Sequence, residues 1–212
     1  RNCPAWHWHL NWPKRFIAAG KIAFIPQAWT GAVPLLIQMA YIPSLALGGE
    51  TALTLWTMTA SWAGAAMLFV FCRRQLSLNW SLAVALIYLT TPAVIYGGGS
   101  GQVEPKMTLF VLAGAWGLAR SLETGRLSFA VLAGLAAGFF AGAKYMGLLF
   151  VAAAGLVILF QRGGVRQGLV AGAVFGVAAV AGGFQWYAWN AVHTGDPMFP
   201  MFFEWLGRDD LG

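Results

Sequence analysis

Charged side chains are scarce in this sequence. Of its 212 residues, 13 are Lys or Arg and 7 are Asp or Glu, so 9% are charged, whereas about 25% are charged in soluble domains. Apolar residues make up 59% of the chain, and its mean hydropathy is +0.67. So little charge excludes an ordinary soluble domain and predicts an integral membrane protein. The basic excess lies at segment ends rather than on one soluble face, which argues against a nucleic-acid partner.

Cysteine and histidine are also rare, with two and three residues respectively. Cys3 and Cys72 fall on opposite sides of the predicted membrane, so we expect no disulfide framework. No histidine lies within a predicted span, which argues against haem ligation there. His7 and His9 have the spacing of a weak metal site without an evident third ligand. We therefore expect no cofactor, and a divalent metal remains the open alternative.

Period-two alternation is missing as well, and the apolar runs are continuous. This pattern favours helices over the strands of a membrane barrel. The sequence predicts an all-α, polytopic transmembrane helix bundle with about six spans and outer interfacial helices. Pro92 is expected to kink the second span. The predicted spans are 51–72, 78–96, 107–122, 127–143, 145–160 and 168–189.

The chain divides into three parts by polarity. Residues 1–50 mix tryptophans with basic side chains and predict an outer-face interfacial segment. The apolar run 32–47 within it is too short to span and predicts an interfacial or re-entrant helix. Residues 51–190 form the transmembrane bundle, and residues 191–212 form a second outer-face interfacial segment. Because the sequence lacks an initiating Met, we expect a piece of something longer.

Arginine in the short loops predicts the orientation. Lys106 and Lys144 are the only basic residues in the short loops of the opposite side. The positive-inside rule makes the Arg side cytoplasmic, so Glu104 and Lys144 lie on the outer side. The cytoplasmic arginines are Arg73, Arg74, Arg120, Arg126, Arg162 and Arg166.

Glycines recur at four-residue spacing in two predicted spans. Gly134, Gly138 and Gly142 lie in the fourth span, and Gly172 and Gly176 lie in the sixth. This spacing lets helix backbones approach closely in lipid. A phosphate loop would require a preceding strand and a following Lys-Ser/Thr pair, which the sequence lacks. The glycines therefore predict helix packing.

A polar island at residues 97–106 separates two apolar segments and carries Glu104 and Lys106. A charge beside an apolar span is expensive and marks a candidate site. Glu104 suits a general base, a metal ligand, or a charge that complements the helix macrodipole. Lys144 interrupts another apolar stretch and suits a lipid phosphate or simple snorkelling to head groups. Tyr145 beside it fits an aromatic belt.

Five segments, taken in order, resemble bacterial GT-C-fold membrane glycosyltransferases of the protein O-mannosyltransferase and aminoarabinose-transferase type, glycosyltransferase family 39. We number them segments 1 to 5. No one motif is specific, but their order is, and together they extend over almost the whole chain. The segments are 5–22, 33–41, 102–110, 142–148 and 186–200.

The resemblance implies a bacterial inner-membrane enzyme that transfers a sugar from a polyprenyl-phosphate donor on the outer face. Glu104 would correspond to the acid of the second outer loop and act as the catalytic carboxylate. The acid of the family's first loop falls on Pro4 when its pattern is set on Trp8-His9-Leu10. The residues that the resemblance assigns to substrate binding are Lys144, Tyr145, Lys106, His9 and Asn190.

Two other function classes stay open. The glycine and alanine faces suit a non-catalytic subunit of a larger membrane complex, for example a photosynthetic or respiratory one, built on the same scaffold. Transport is the third option, although the predicted spans lack the charged residues that coupled transporters usually keep. The expected partners are membrane lipids, polyprenyl phosphate among them, and other membrane subunits.

Overall fold

A computed structural model describes residues 9–24, 32–161 and 164–207, and in these ranges all regular structure is helical. The prediction of an all-α chain is therefore confirmed. Pro4, His7, Cys3 and Arg162 lie outside the described residues. In chain order the helices are α1 (Asn11–Ala19), α2 (Leu36–Cys72), α3 (Leu78–Thr90), α4 (Pro92–Gly99), α5 (Glu104–Thr124), α6 (Leu127–Ala143), α7 (Met146–Gln161), α8 (Val165–Thr194) and α9 (Phe203–Leu206).

Two interruptions in the apolar helices fall where the sequence predicts them. Helix α2 breaks at Gly48 and Gly49, and Gly49 has a φ of 62°, which a side chain would strain. This break lies between the predicted interfacial run 32–47 and the predicted span 51–72. Helices α3 and α4 meet at a bend of 58°. Pro92 begins α4, so the predicted kink is confirmed.

Two of the described helices, α2 and α8, are long and apolar enough to cross a membrane, and the bent pair α3–α4 makes a third if it counts as one span. Helices α6 and α7 are apolar but have only 17 and 16 residues. A multi-pass membrane protein is compatible with this count. The predicted total of six spans stays a prediction.

The chain forms two compact units. Unit 1 comprises the residues up to Lys21 and Ile37–Leu112, and unit 2 comprises Ile22–Leu36 and the residues from Ala113 onward. The boundary between Leu112 and Ala113 lies within α5. The three-part division of the sequence concerns position in the membrane, and it stays a prediction.

In unit 1, α1 is amphipathic, as its sequence predicts. Trp12, Pro13 and Phe16 are buried, whereas Arg15 is exposed. Lys14 forms an ion pair with Glu50, just after the break in α2. Both side chains are about two-fifths exposed, so the pair contributes little to stability.

In unit 2, α6 packs closely on α8 because glycines bring the two backbones together. A Cβ on Gly134 would collide with the carbonyl oxygen of Phe175, and one on Gly138 would collide with that of Ala179. The packing predicted for the glycines of α6 is thus confirmed. The core beside this contact is built from alanines, Ile158 and Phe175.

The glycine pattern of α8 differs from its prediction. Gly182 and Gly183 face the backbone of α6, whereas a Cβ on Gly176 would meet nothing within 4 Å. Gly172 lies against the Leu159 side chain of α7 instead. The spacing of glycines in the sequence does not reveal which face of α8 meets α6, because α8 carries glycines on more than one of its faces.

Candidate functional site

The polar island of unit 1 is a short turn between two helices. Gly97–Gly99 end α4, and Glu104–Lys106 form the first turn of α5. Gly101 has a φ of 71°, which allows the chain to reverse there. The Gln102 amide donates to the carbonyl oxygen of Gly97 at 3.3 Å, which closes the turn.

Tyr41 of α2 forms a hydrogen bond to this turn. Its side chain is fully buried, and its hydroxyl donates to the carbonyl oxygen of Gln102 at 3.0 Å. One helical turn earlier, the Nε2 of Gln38 donates to the Nδ1 of His9 at 3.3 Å. These two bonds connect segments 1, 2 and 3 of the resemblance within unit 1. Neither Tyr41 nor Gln38 stands out in the sequence, since both lie within an apolar run.

Glu104 is exposed at the first position of α5. A carboxylate there complements the positive end of the helix macrodipole. Its backbone carbonyl accepts a hydrogen bond from the hydroxyl of Thr108 at 3.0 Å. The position therefore suits both the stabilising role and a carboxylate that a substrate can reach.

Lys106 points into unit 1 rather than away from it. Only 5% of the residue is exposed. Its Nζ donates to the Oγ1 of Thr57 at 2.7 Å and lies 4.7 Å and 4.4 Å from the ring centroids of Tyr41 and Trp56. Burial lowers the pKa of Lys106 to about 7, whereas the two ring faces favour the ammonium. Lys106 thus holds α5 against α2.

Unit 2 holds the other predicted site residues. Lys144 caps the carboxyl end of α6 with an extended backbone, and it is half-buried. The hydroxyl of Tyr145 donates to the carbonyl oxygen of Phe199 at 2.5 Å. Asn190, fully buried, donates from Nδ2 to the Tyr145 hydroxyl at 3.1 Å and to the Pro197 carbonyl at 3.3 Å. These bonds connect segments 4 and 5.

Asp196 organises the turn after α8. It is fully buried, and its carboxylate accepts the backbone N–H groups of Met198 at 2.7 Å and Phe202 at 2.9 Å. Thr194 stabilises the same turn, since its Oγ1 accepts the Asp196 amide at 3.1 Å. The Thr-Gly-Asp-Pro sequence at 194–197 is a turn signal that could have identified this role.

The predicted residues therefore separate into two groups. His9, Glu104 and Lys106 belong to unit 1, and Lys144, Tyr145 and Asn190 belong to unit 2. Across the described ranges, no three His, Cys, Asp or Glu residues cluster in a way that would hold a metal ion. The alternative of a metal at His7 and His9 stays untested because His7 is not among those residues.

Comparisons with known protein families, curated proteins and solved structures found no match for this chain.

Proposed function

We propose that the chain is, or belongs to, a multi-pass membrane glycosyltransferase that uses a polyprenyl-phosphate-linked sugar. One observation supports this assignment above the others. Segments that carry the resemblance but lie far apart in sequence are hydrogen-bonded to one another, segments 1 to 3 in unit 1 and segments 4 and 5 in unit 2. Such contacts are expected if the resembling segments of each unit belong to one scaffold.

Glu104 is the proposed general base. It would take the proton of the acceptor hydroxyl as that oxygen attacks the anomeric carbon of the donor. The bond between this carbon and the phosphate oxygen breaks, and polyprenyl phosphate leaves. The exposure of Glu104 at a glycine-containing turn supports the role, because a substrate can approach its carboxylate.

Lys144 is the proposed contact for the leaving phosphate, since an ammonium can neutralise charge that develops there. His9, which bonds to Gln38 in unit 1, is a proposed substrate contact. Tyr145, which bonds to Asn190 in unit 2, is another. Lys106 and Asn190 are buried, which supports a positioning role for Lys106 within unit 1 and for Asn190 within unit 2.

The proposed topology has six spans in the bacterial inner membrane, with the Arg-rich loops in the cytoplasm. Glu104 and Lys144 then lie on the outer side, where a lipid-linked donor is used. The distribution of arginine supports this orientation. The short helices α6 and α7 would cross by local thinning of the bilayer.

A non-catalytic subunit is the second candidate function. The position of the first-loop acid is occupied by Pro4, and this observation favours a scaffold without catalysis. Purification from membranes in mild detergent separates the two functions. A subunit co-purifies with its complex and transfers no sugar, whereas an enzyme transfers sugar when purified alone.

The direct test of the proposal is a transfer assay on the full-length chain in proteoliposomes. Polyprenyl-phosphate-linked sugars are supplied one at a time, and release of polyprenyl phosphate is measured. We expect release with at least one donor. If no donor releases polyprenyl phosphate while the folded chain retains its helix content by circular dichroism, the enzyme proposal fails and the subunit proposal replaces it.

A further inference from the structure

A cleft of about 440 Å³ lies in unit 1 between α1 and the break in α2. Its volume falls within the roughly 300–1,000 Å³ of small-molecule sites. A Cβ on Gly49 would meet nothing within 4 Å, so the space beside the break is open. The cleft therefore has room for a ligand that enters from outside the chain. Its lining residues are Lys14, Ile17, Ala18, Leu45, Gly49 and Glu50.

Two opposite charges share this cleft. The Nζ of Lys14 pairs with the Oε1 of Glu50, and the two side chains are 40% and 41% exposed. A ligand in the cleft can therefore reach both charged groups. A carboxylate accepts hydrogen bonds through two oxygens, so the contact at Oε1 does not use the whole acceptor capacity of Glu50.

Apolar side chains border the charged pair. Ile17 of α1 is 39% exposed, and Leu45 of α2 is half-buried. Just before the break, Leu47 is 89% exposed. The cleft thus combines a positive group, a negative group and apolar surface. A phospholipid has the same three features where its headgroup joins its chains.

The position of Glu50 along α2 fits the level of lipid headgroups. Residues 51–72 carry no charge, and as a helix they extend about 33 Å at ~1.5 Å per residue. The hydrocarbon core of a bilayer is about 30 Å thick, and α2 is apolar enough to cross it. A span that begins at Thr51 leaves Glu50, and Lys14 with it, at the surface of the membrane.

We propose that this cleft binds a phospholipid whose headgroup carries a primary ammonium, as in phosphatidylethanolamine. The lipid phosphate lies against Lys14, its ammonium lies against Glu50, and the start of an acyl chain lies against Ile17 and Leu45. The protein pair and the headgroup then form two antiparallel dipoles, in which each charge neighbours an opposite one. The site does not rest on the proposed glycosyl transfer, which uses Glu104 and a different lipid.

Both charges of the cleft take part in selecting this headgroup. An anionic headgroup without an ammonium is repelled by the carboxylate of Glu50. A phosphocholine headgroup brings a positive charge but has no N–H to donate to that carboxylate. Charge complementarity therefore favours an ethanolamine headgroup over glycerol and choline headgroups.

Matched lipids test the proposal on the purified full-length chain in detergent micelles. Phosphatidylethanolamine, phosphatidylcholine and phosphatidylglycerol with the same acyl chains are supplied at equal concentration, and retained lipid is counted by native mass spectrometry. We expect phosphatidylethanolamine to be retained about 2–12-fold better than phosphatidylcholine, the ratio given by one hydrogen bond of ~0.5–1.5 kcal/mol. Equal retention of these two lipids overturns the proposal, and so does a preference for phosphatidylglycerol.

Substitution of each charged residue separates its contribution. Glu50→Met removes the acceptor for the ammonium and should abolish the preference for phosphatidylethanolamine over phosphatidylcholine. Lys14→Met removes the contact for the phosphate and should lower the retention of both lipids. Glu123→Met is the matched control, because Glu123 forms a similar exposed ion pair with Arg120 in unit 2, and it should keep the wild-type preference.

Thermal unfolding in lipid-free detergent checks that the variants fold. An exposed ion pair contributes only about 0–1 kcal/mol to stability, so the midpoints of Lys14→Met and Glu50→Met should stay close to that of the wild type. A preference for phosphatidylethanolamine that survives in Glu50→Met overturns the proposal, since the carboxylate then does not hold the ammonium. If either variant fails to fold, the comparison of the three lipids on the wild type still decides.

Discussion

The ammonium group of Lys106 and the hydroxyl of Thr57 are joined by a hydrogen bond of 2.7 Å within unit 1. The bond ties the first turn of α5, which begins at Glu104, to the second part of α2. The Thr57 hydroxyl in turn donates to the carbonyl of Leu53. A basic residue that the sequence places at the membrane surface is thus part of the interior packing of this unit.

The stability of the protein should depend on pH through Lys106. Burial lowers its pKa from 10.5 to about 7, so between these values the unfolded chain binds more protons than the folded one. The free energy of unfolding therefore rises with pH across this window. One proton corresponds to about 1.4 kcal/mol per pH unit, or about 3–6 °C in the unfolding midpoint per pH unit.

Thermal unfolding in detergent from pH 7 to 10 measures this dependence. Lys106→Met should flatten the rise, since the titrating group is gone. Lys14→Met is the control, because Lys14 is far more exposed and forms a surface ion pair with Glu50, and it should retain the wild-type slope. A Lys106→Met variant with an unchanged slope would contradict the role of burial.

The bond between Asn190 and Tyr145 should appear as coupling in a double-mutant cycle. Tyr145→Phe loses the donor to Phe199 and the acceptor for Asn190, which should cost about 1–3 kcal/mol. Asn190→Ala should be destabilising to a similar extent. The double variant should lose less than the sum of the two single changes, by about 0.5 kcal/mol or more.

Asn79→Ala is the control for this cycle, because Asn79 is exposed, and it should change the stability little. Strict additivity of the Tyr145 and Asn190 changes would contradict the pairing.

Asp196→Ala should loosen the turn after α8. The variant removes the acceptor for two backbone N–H groups, and hydrogen bonds to a charged group contribute about 1.5–3 kcal/mol each. We expect the midpoint of thermal unfolding to fall and proteolysis after residue 196 to accelerate. Glu204→Gln, at an exposed carboxylate, is the comparison that should behave like the wild type.

Gly138 and Gly176 should respond differently to the same added methyl group. On Gly138 a Cβ meets the backbone of α8, whereas on Gly176 it meets open space. Gly138→Ala should therefore lower stability by about 1–3 kcal/mol, and Gly176→Ala should be neutral or stabilising by up to about 1 kcal/mol. Equal midpoints for the two variants would contradict the close contact of α6 and α8.

Local signals made much of the fold predictable. Helix α6 has the predicted bounds of 127–143, because the basic residue Arg126 precedes an uninterrupted apolar run that ends at Lys144. The bend at Pro92 follows from the missing amide donor of proline. The break at Gly48 and Gly49 falls where two glycines separate two apolar stretches.

Long-range contacts were not predictable in this way. Lys106 carries a charge, and the sequence favours the surface for it. Its burial depends on Tyr41, Trp56 and Thr57, which precede it by 49 to 65 residues. Helix α8 also extends past its predicted end at 189 to Thr194, since the polar side chains of Asn190 and Thr194 find buried partners in the turn that follows.

The most direct test of the proposed function compares two carboxylates at opposite ends of α5. Glu104 begins the helix, and Glu123 pairs with Arg120 near its end. The measurement is the rate of polyprenyl phosphate release by Glu104→Gln and Glu123→Gln in proteoliposomes. The account predicts at least about a 100-fold loss for Glu104→Gln, as expected for a general base, and a near wild-type rate for Glu123→Gln. Equal rates for the two variants would contradict it.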